Sequence, residues 1–185
     1  MKNIFFAFLL SLLTSFSFAQ NNDVEKVPLE KMAMLSSILG EWDTVQYLWQ
    51  DDEWKQIATS DVTYHSKLKG KLITEEISNL VPDNIFIVET FITYDQYRNL
   101  YRLAAVDDTY GLMDIYEGDF ISENELQLTN LRAGTNFPSQ NDGEMYFRLT
   151  FTEIDKNTRE FLVEKSSDEG ANWEPMTMNK MTRTN

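Results

Sequence analysis

Three charged residues stand on strand faces that are otherwise apolar: Glu75 between Ile73 and Ile77, Glu89 between Ile87 and Phe91 with Ile85 beyond, and Arg102 between Leu100 and Ala104. A charge on an apolar wall must find a counter-charge or shift its pKa, because low dielectric penalises the ionised form. Two carboxyls and a guanidinium so placed could seat the polar head of a ligand. They could also supply a general base with an electrostatic partner, as an isomerase or lyase would need. Glu75, Glu89 and Arg102 are thus the candidate catalytic residues and, together with Trp42, Met176 and Met178, the candidate ligand-binding residues. The competing expectation is that the three charges face water as surface ion pairs worth under about 1 kcal/mol each.

Other chemistry has less to work with. His65 is the single histidine, so a site needing two imidazoles is absent. Its strand-face neighbours Asp61, Thr63 and Lys67 are polar, and such a face is expected to look at water. There is no cysteine, hence no thiolate nucleophile, no disulfide framework and no lipid-accepting thiol. A lone histidine without a serine motif makes no triad. Asp51, Asp52 and Glu53, and Asp107 with Asp108, lack EF-hand spacing and read as solvated turns. No metal and no cofactor is expected.

The elements that must position these residues are short strands. From Gly40 onward the hydrophobic period is two, and β-branched and aromatic runs alternate with turn residues. The pattern predicts ten strands: 40–48, 53–66, 71–78, 85–94, 99–107, 112–117, 125–131, 145–154, 160–166 and 173–182. Alternation is clearest where Met145, Phe147, Leu149 and Phe151 take one face and Tyr146, Arg148, Thr150 and Thr152 the other. Short connections such as Gln50-Asp51-Asp52 and Asp155-Lys156-Asn157 join neighbours antiparallel, and closure of so many hairpins into an up-and-down barrel removes exposed edges. If the hairpins turn near Val81 and Gln96, Glu75 falls opposite Ile87 and Arg102 opposite Phe91. Glu89 is then a diagonal neighbour of both, about 7 to 8 Å away between backbones. The long connection Arg132 to Glu144, rich in Gly, Asn, Ser and Pro, is a candidate flap at the barrel mouth.

Ahead of the strands, Pro28 suits the first turn of a helix, with Leu29, Met32, Leu35 and Leu39 at helical spacing and Gly40 as its stop. Residues 20–27 read as a flexible leader. Before them, Lys2 and the apolar run Ile4 to Phe18, closing on Ser17-Phe18-Ala19, read as a signal peptide cleaved between Ala19 and Gln20. That run is shorter than the roughly 20 residues a spanning helix needs. The expected destination is the periplasm or the outside, with no membrane anchor after signal removal.

The net charge is −14, and loss of Lys2 makes the mature chain one unit more negative. Nucleic acid is excluded as a partner on this ground, since the scattered Lys and Arg form no stripe that a phosphate backbone could follow. No feature sets an oligomeric state.

In order along the chain, Leu39-Gly40-Glu41-Trp42, Gly70-Lys71-Leu72 followed by Glu75 and Glu76, Tyr94-Asp95, Asp107 to Gly111, Gly118, and Asp168-Glu169-Gly170-x-x-Trp173 ahead of Arg183 form a set of motifs. This set resembles the bacterial lipocalin-like, calycin-type domain of unknown function 1579 family, over most of Leu35 to Arg183. The resemblance implies an all-β, antiparallel lipocalin-like barrel of about eight to ten strands over residues 28–185, with the short helix capping one end and the Trp42 indole plugging it. The family itself is uncharacterised. Haem-binding relatives of this barrel class carry Gly-x-Trp-x-Gly, and Thr44 replaces the second glycine here, against a haem pocket.

The leading functional expectation is an exported module holding a small apolar or amphipathic ligand inside the barrel, a volume eight to ten strands can enclose. Its rivals are a barrel-cavity enzyme using Glu75 and Glu89 with Arg102, and a non-catalytic envelope interaction scaffold working through Arg132 to Glu144. Trp42, Trp54, Trp173, Met176, Met178 and Met181 also suit an ordinary core, with Met176 and Met178 on one strand face.

Overall fold

The computed structural model describes residues 22–83, 86–139 and 143–184. The signal-peptide reading of residues 1–19 lies outside them. Helix α1 (Asn22–Ala33) and a 3-10 turn (Ser36–Ile38) precede eleven strands. These are β1 (Gly40–Gln50), β2 (Glu53–Lys67), β3 (Leu72–Val81), β4 (Val88–Asp95), β5 (Leu100–Asp107), β6 (Met113–Ser122), β7 (Glu125–Thr129), β8 (Phe137–Ser139), β9 (Gly143–Asp155), β10 (Thr158–Ser166) and β11 (Glu174–Arg183). Every pairing is antiparallel between chain neighbours, except that β7 pairs β9 across the short β8, and β11 returns to β1. Ten strands therefore close a barrel, with β8 appended to the start of β9.

Local chemistry explains the turns. Asp51 and Asp52 both take positive φ between the closing pair Gln50 and Glu53, the two-residue turn whose twist matches the flanking strands. The Asp95 carboxylate accepts the backbone N–H groups of Tyr97 and Arg98 and so holds the β4–β5 turn. At Gly118 a Cβ would lie 2.0 Å from the Gln127 carbonyl oxygen, so only glycine lets β6 and β7 approach.

The helix departs from expectation. It begins at Asn22, within the segment read as leader, places Pro28 in its interior, and ends at Ala33 rather than running to Gly40. Pro28 forfeits one backbone hydrogen bond there, which a short surface helix tolerates. Ser36 and Ser37 then tighten the chain into the 3-10 turn. Met32, Leu35 and Ile38 are buried and seal one end of the barrel, and the Tyr101 hydroxyl donates to the Lys31 carbonyl at 2.7 Å.

Above this floor the core is filled by Trp42, Tyr101, Ile92, Leu103, Leu126 and Leu128, each less than 2 % exposed. At the opposite end lie the connections after β1, β3, β5, β7 and β10, which frame a mouth. One ladder is short. β3 and β4 pair only over Leu72–Thr74 and Phe91–Thr93, although β3 continues to Val81 and β4 starts at Val88.

Candidate functional site

The site grows from the end of that short ladder. On β3, Ile73, Glu75 and Ile77 share the inner face, and Tyr64 of β2 stands directly opposite Glu75. The Tyr64 phenol donates to Glu75 Oε1 at 2.9 Å, and the Thr90 hydroxyl on β4 donates to Oε2 at 2.7 Å. These partners are both neutral. Burial pushes the Glu75 carboxyl above the ordinary carboxylate range, and the hydrogen bonds, which favour the charged form, only partly offset it. Burial and the neighbouring carboxyl likewise hold the Tyr64 phenol well above its usual value.

Glu75, Glu89 and Arg102 do not come together. Ile73 lies opposite Ile92, which carries the ladder on to Glu75 beside Thr90, three residues from the expected partner Ile87. An odd shift turns a strand over, so Glu75 faces inward while Glu89 and Arg102 face outward. Arg102 lies opposite Thr93, two residues from the expected Phe91, and is ion-paired on the outer wall with Glu117 and, at 3.9 Å, with Asp95. Glu89 is exposed opposite Val106. A general-base arrangement built on the trio is thereby reduced to Glu75.

Trp42 plugs the floor. It is fully buried, its Nε1–H donates to the Ile38 carbonyl at 2.7 Å, and the Arg183 guanidinium stacks 4.2 Å from the ring while donating to the Leu39 and Ser37 carbonyls. Arg159 lies over the same ring at 5.5 Å and binds Glu153 and Ser37. Met178 is placed elsewhere. It pairs with Tyr47 and Leu162, one step out of phase with Asn179, Phe161 and Phe151, which face the core. Met178 therefore packs on the outer face, as does the exposed Met176, and the inward methionine of β11 is Met181, opposite Thr44. His65 is on the surface, 3.2 Å from Glu76.

Toward the mouth the inner face changes character. Ile77, Ala105, Phe147, Phe161 and Val163 all point inward against the core, yet each keeps accessible surface, as do Leu39 and Phe120 at the floor end, in contrast with the sealed middle around Tyr101, Leu103, Leu126 and Leu128. Glu75 also keeps accessible surface. Gln46 and Asn179 pair across the inner face of β1 and β11. Thr44 and Ser60, opposite one another, are buried with hydroxyls that have no hydrogen-bond partner among the described residues. Near the mouth the buried Asp114 accepts hydrogen bonds from Asn130, Thr135 and the Ile115 N–H, which ties the 130–139 segment across the opening. Phe137 of β8 then meets Phe147 edge to face at 5.9 Å.

On the outer wall, Leu72, Phe91, Thr93, Arg102, Ala104 and Ile115 line a groove of about 350 Å³. Among the described residues no group of three His, Asp or Glu is placed to hold a metal ion, and no helix is long and apolar enough to cross a membrane. Sequence reasoning missed Tyr64, Thr90, Thr44 and Ser60. The signal for Tyr64 was present, since a water-facing His65 forces its neighbours Val62 and Tyr64 inward.

Fold and site together define a closed antiparallel ten-stranded barrel with a plugged floor and an interior carboxyl. The chain belongs to the DUF1579 family of proteins of unknown function, whose sequence profile matches residues 27–183. No curated protein matches it significantly. Among solved structures it is similar to that of Rv2717c from M. tuberculosis, at 14% identity and a TM-score of 0.56, covering 84% of this chain and 98% of that one. A structure described as EF1p2_mFAP2b bound to DFHBI aligns over 83% of this chain and 99% of its own at 6% identity, with a TM-score of 0.36, too low to compare folds.

Proposed function

We propose that this protein is an exported, lipocalin-like binding module that holds a small apolar or amphipathic molecule in the mouth half of its barrel. One observation carries the reading: inward-facing apolar side chains in the mouth half, Ile77, Ala105, Phe147, Phe161 and Val163, keep accessible surface, whereas Trp42, Tyr101, Leu103, Leu126 and Leu128 below them are less than 2 % exposed. A tightly packed interior leaves its inner-face residues no such surface. An apolar lining with a few convergent polar groups, here Glu75 and Tyr64, is the ordinary make-up of a small-molecule site. The acidic surface keeps such a carrier soluble and away from nucleic acid.

The test is native mass spectrometry of the protein purified from the cell that makes it, together with thermal shift against a panel of lipids and terpenoids. A co-purifying small molecule that the Ala105→Trp variant no longer retains is the expected result. A clean unliganded mass with no shift from any compound overturns the reading.

A further inference from the structure

Glu75 is a carboxyl that an occupant of the barrel could reach. Asp114, the other inward acid near the mouth, is only 3% exposed and its oxygens are taken up by Asn130, Thr135 and the Ile115 N–H. Glu75 keeps accessible surface, and its partners are a phenol and a hydroxyl, neither of which neutralises a charge. The charged and titratable groups that act on it or on its phenol partner are Tyr64 on β2, Glu89 on β4 and Arg159 on β10. Arg159 is already committed to Glu153 at 2.5 Å. Lys165, at the rim of the mouth, lies 3.9 Å from Glu174. The chain as a whole carries a net charge of −14, which draws cations toward the mouth and repels anions.

A carboxyl in an apolar wall has two ways to be stable: it keeps a proton, or it meets a cation. An anionic ligand would add like charge beside Glu75 and Asp114. A neutral one would offer the carboxyl only hydrogen bonds of ordinary strength. An ammonium would replace the proton with a charge-assisted hydrogen bond, the stronger kind.

We propose that the occupant of this barrel carries a primary or secondary ammonium group seated on the Glu75 carboxylate, with its alkyl or aryl body against Ile77, Ala105, Phe161 and Val163. The assignment rests on the reading of the barrel as a small-molecule carrier and names the chemical class it takes. The ammonium N–H groups donate to the Glu75 carboxylate, and where the carboxyl holds a proton in the empty barrel that proton passes to a solvent base, one O–H bond breaking as another forms.

Three probes of one chain length separate this class from the carrier reading itself: n-octylammonium, n-octanol and n-octanoate, titrated into the full chain by calorimetry. The expected order is octylammonium tightest by about tenfold or more over octanol, a gap of about 1.4 kcal/mol, with octanoate weakest. Glu75→Gln is expected to bring octylammonium down to octanol's affinity. Equal binding of all three, or a preference for octanoate, overturns the ammonium class while the carrier reading stands. Binding of none overturns both. A second measurement covers a collapsed variant interior. For the unaltered protein at about pH 5, titration in buffers of different ionisation enthalpy should show proton release on octylammonium binding and none on octanol binding. No difference between the two also overturns the class.

Discussion

The Thr90 hydroxyl reaches across to the Glu75 carboxyl at 2.7 Å, one step beyond the last β3–β4 ladder pair. A side-chain hydrogen bond thus joins the two strands where their backbone ladder has ended. The carboxyl pays for this place with a raised pKa, and that cost is measurable.

The sign of the Glu75 contribution follows from the direction of its shift. Its folded value lies above its unfolded value, so its share of stability is fully present below the unfolded pKa and is lost as pH rises through the folded one. Glu75→Gln keeps the shape and removes the titration. The variant is expected to melt at a higher temperature than the parent near neutrality, and the gap should close on acidification below the ordinary carboxylate range. A constant gap across pH would mean that the carboxyl is not burdened in the fold.

The floor should be costly to open. Trp42 is fully buried beneath Arg183, and truncating a buried aromatic ring costs about 3–5 kcal/mol, so Trp42→Ala is expected to lose that much in urea unfolding. Arg183→Met removes the stack and leaves the Ser37 and Leu39 carbonyls without their donor. A loss of about 1–3 kcal/mol is expected from those unsatisfied groups. If the two substitutions prove additive, the stack carries no coupling and the plug is simple volume.

Gly118 sets the spacing of a wall. A methyl group there meets the Gln127 carbonyl at 2.0 Å, and backbone cannot swing aside as a flexible side chain can. Gly118→Ala should destabilise by about 2 kcal/mol or more and raise amide exchange along β6 and β7. Unchanged exchange in those two strands would contradict the close approach.

Thr44 and Ser60 face one another on the inner wall with hydroxyls that no group among the described residues satisfies. An unpaired buried hydroxyl costs about 1–3 kcal/mol, so Ser60→Ala and the shape-conserving Thr44→Val should each stabilise the unliganded chain, by about 1 kcal/mol in chemical denaturation. A loss of stability would show that the hydroxyls are bonded in solution.

Most of the architecture was legible, because a period of two repeated ten times leaves few alternatives to a closed meander. Even the inner face of β9 could be read off Met145 to Thr152, where Met145, Phe147, Leu149 and Phe151 alternate with more polar residues. Two elements were not. β8 is three residues long with Pro138 at its centre, inside a stretch whose composition reads as loop. The helix was misplaced because Pro28 imitates an N-terminal residue while standing in the interior. Neither error touches the barrel.

The site was legible only in part, and the reason is register. Glu75 stands out by composition, as a carboxyl between isoleucines, but its partners depend on how β3 meets β4. Asn79 takes a positive φ and the β2–β3 ladder slips between Thr59 and Asp61, so the strand's path near Val81 is irregular in a way that no residue pattern announces. A three-residue error then exchanged Thr90 for Ile87 and the inside for the outside. Met178 shows the same sensitivity, since one step along β11 separates it from the inward Asn179.

A closed ring of hydrogen-bonded strands is no stiffer than its weakest join. In this barrel the join is the three-pair ladder between β3 and β4, against seven or more pairs in the ladders of β1 with β2 and of β4 with β5. Thermal opening should therefore begin there, as a local unzipping that leaves the other walls intact. For the guest proposed above, such a seam would be a sideways way in, one that avoids the segment tied over the mouth, with Glu75 standing at its foot.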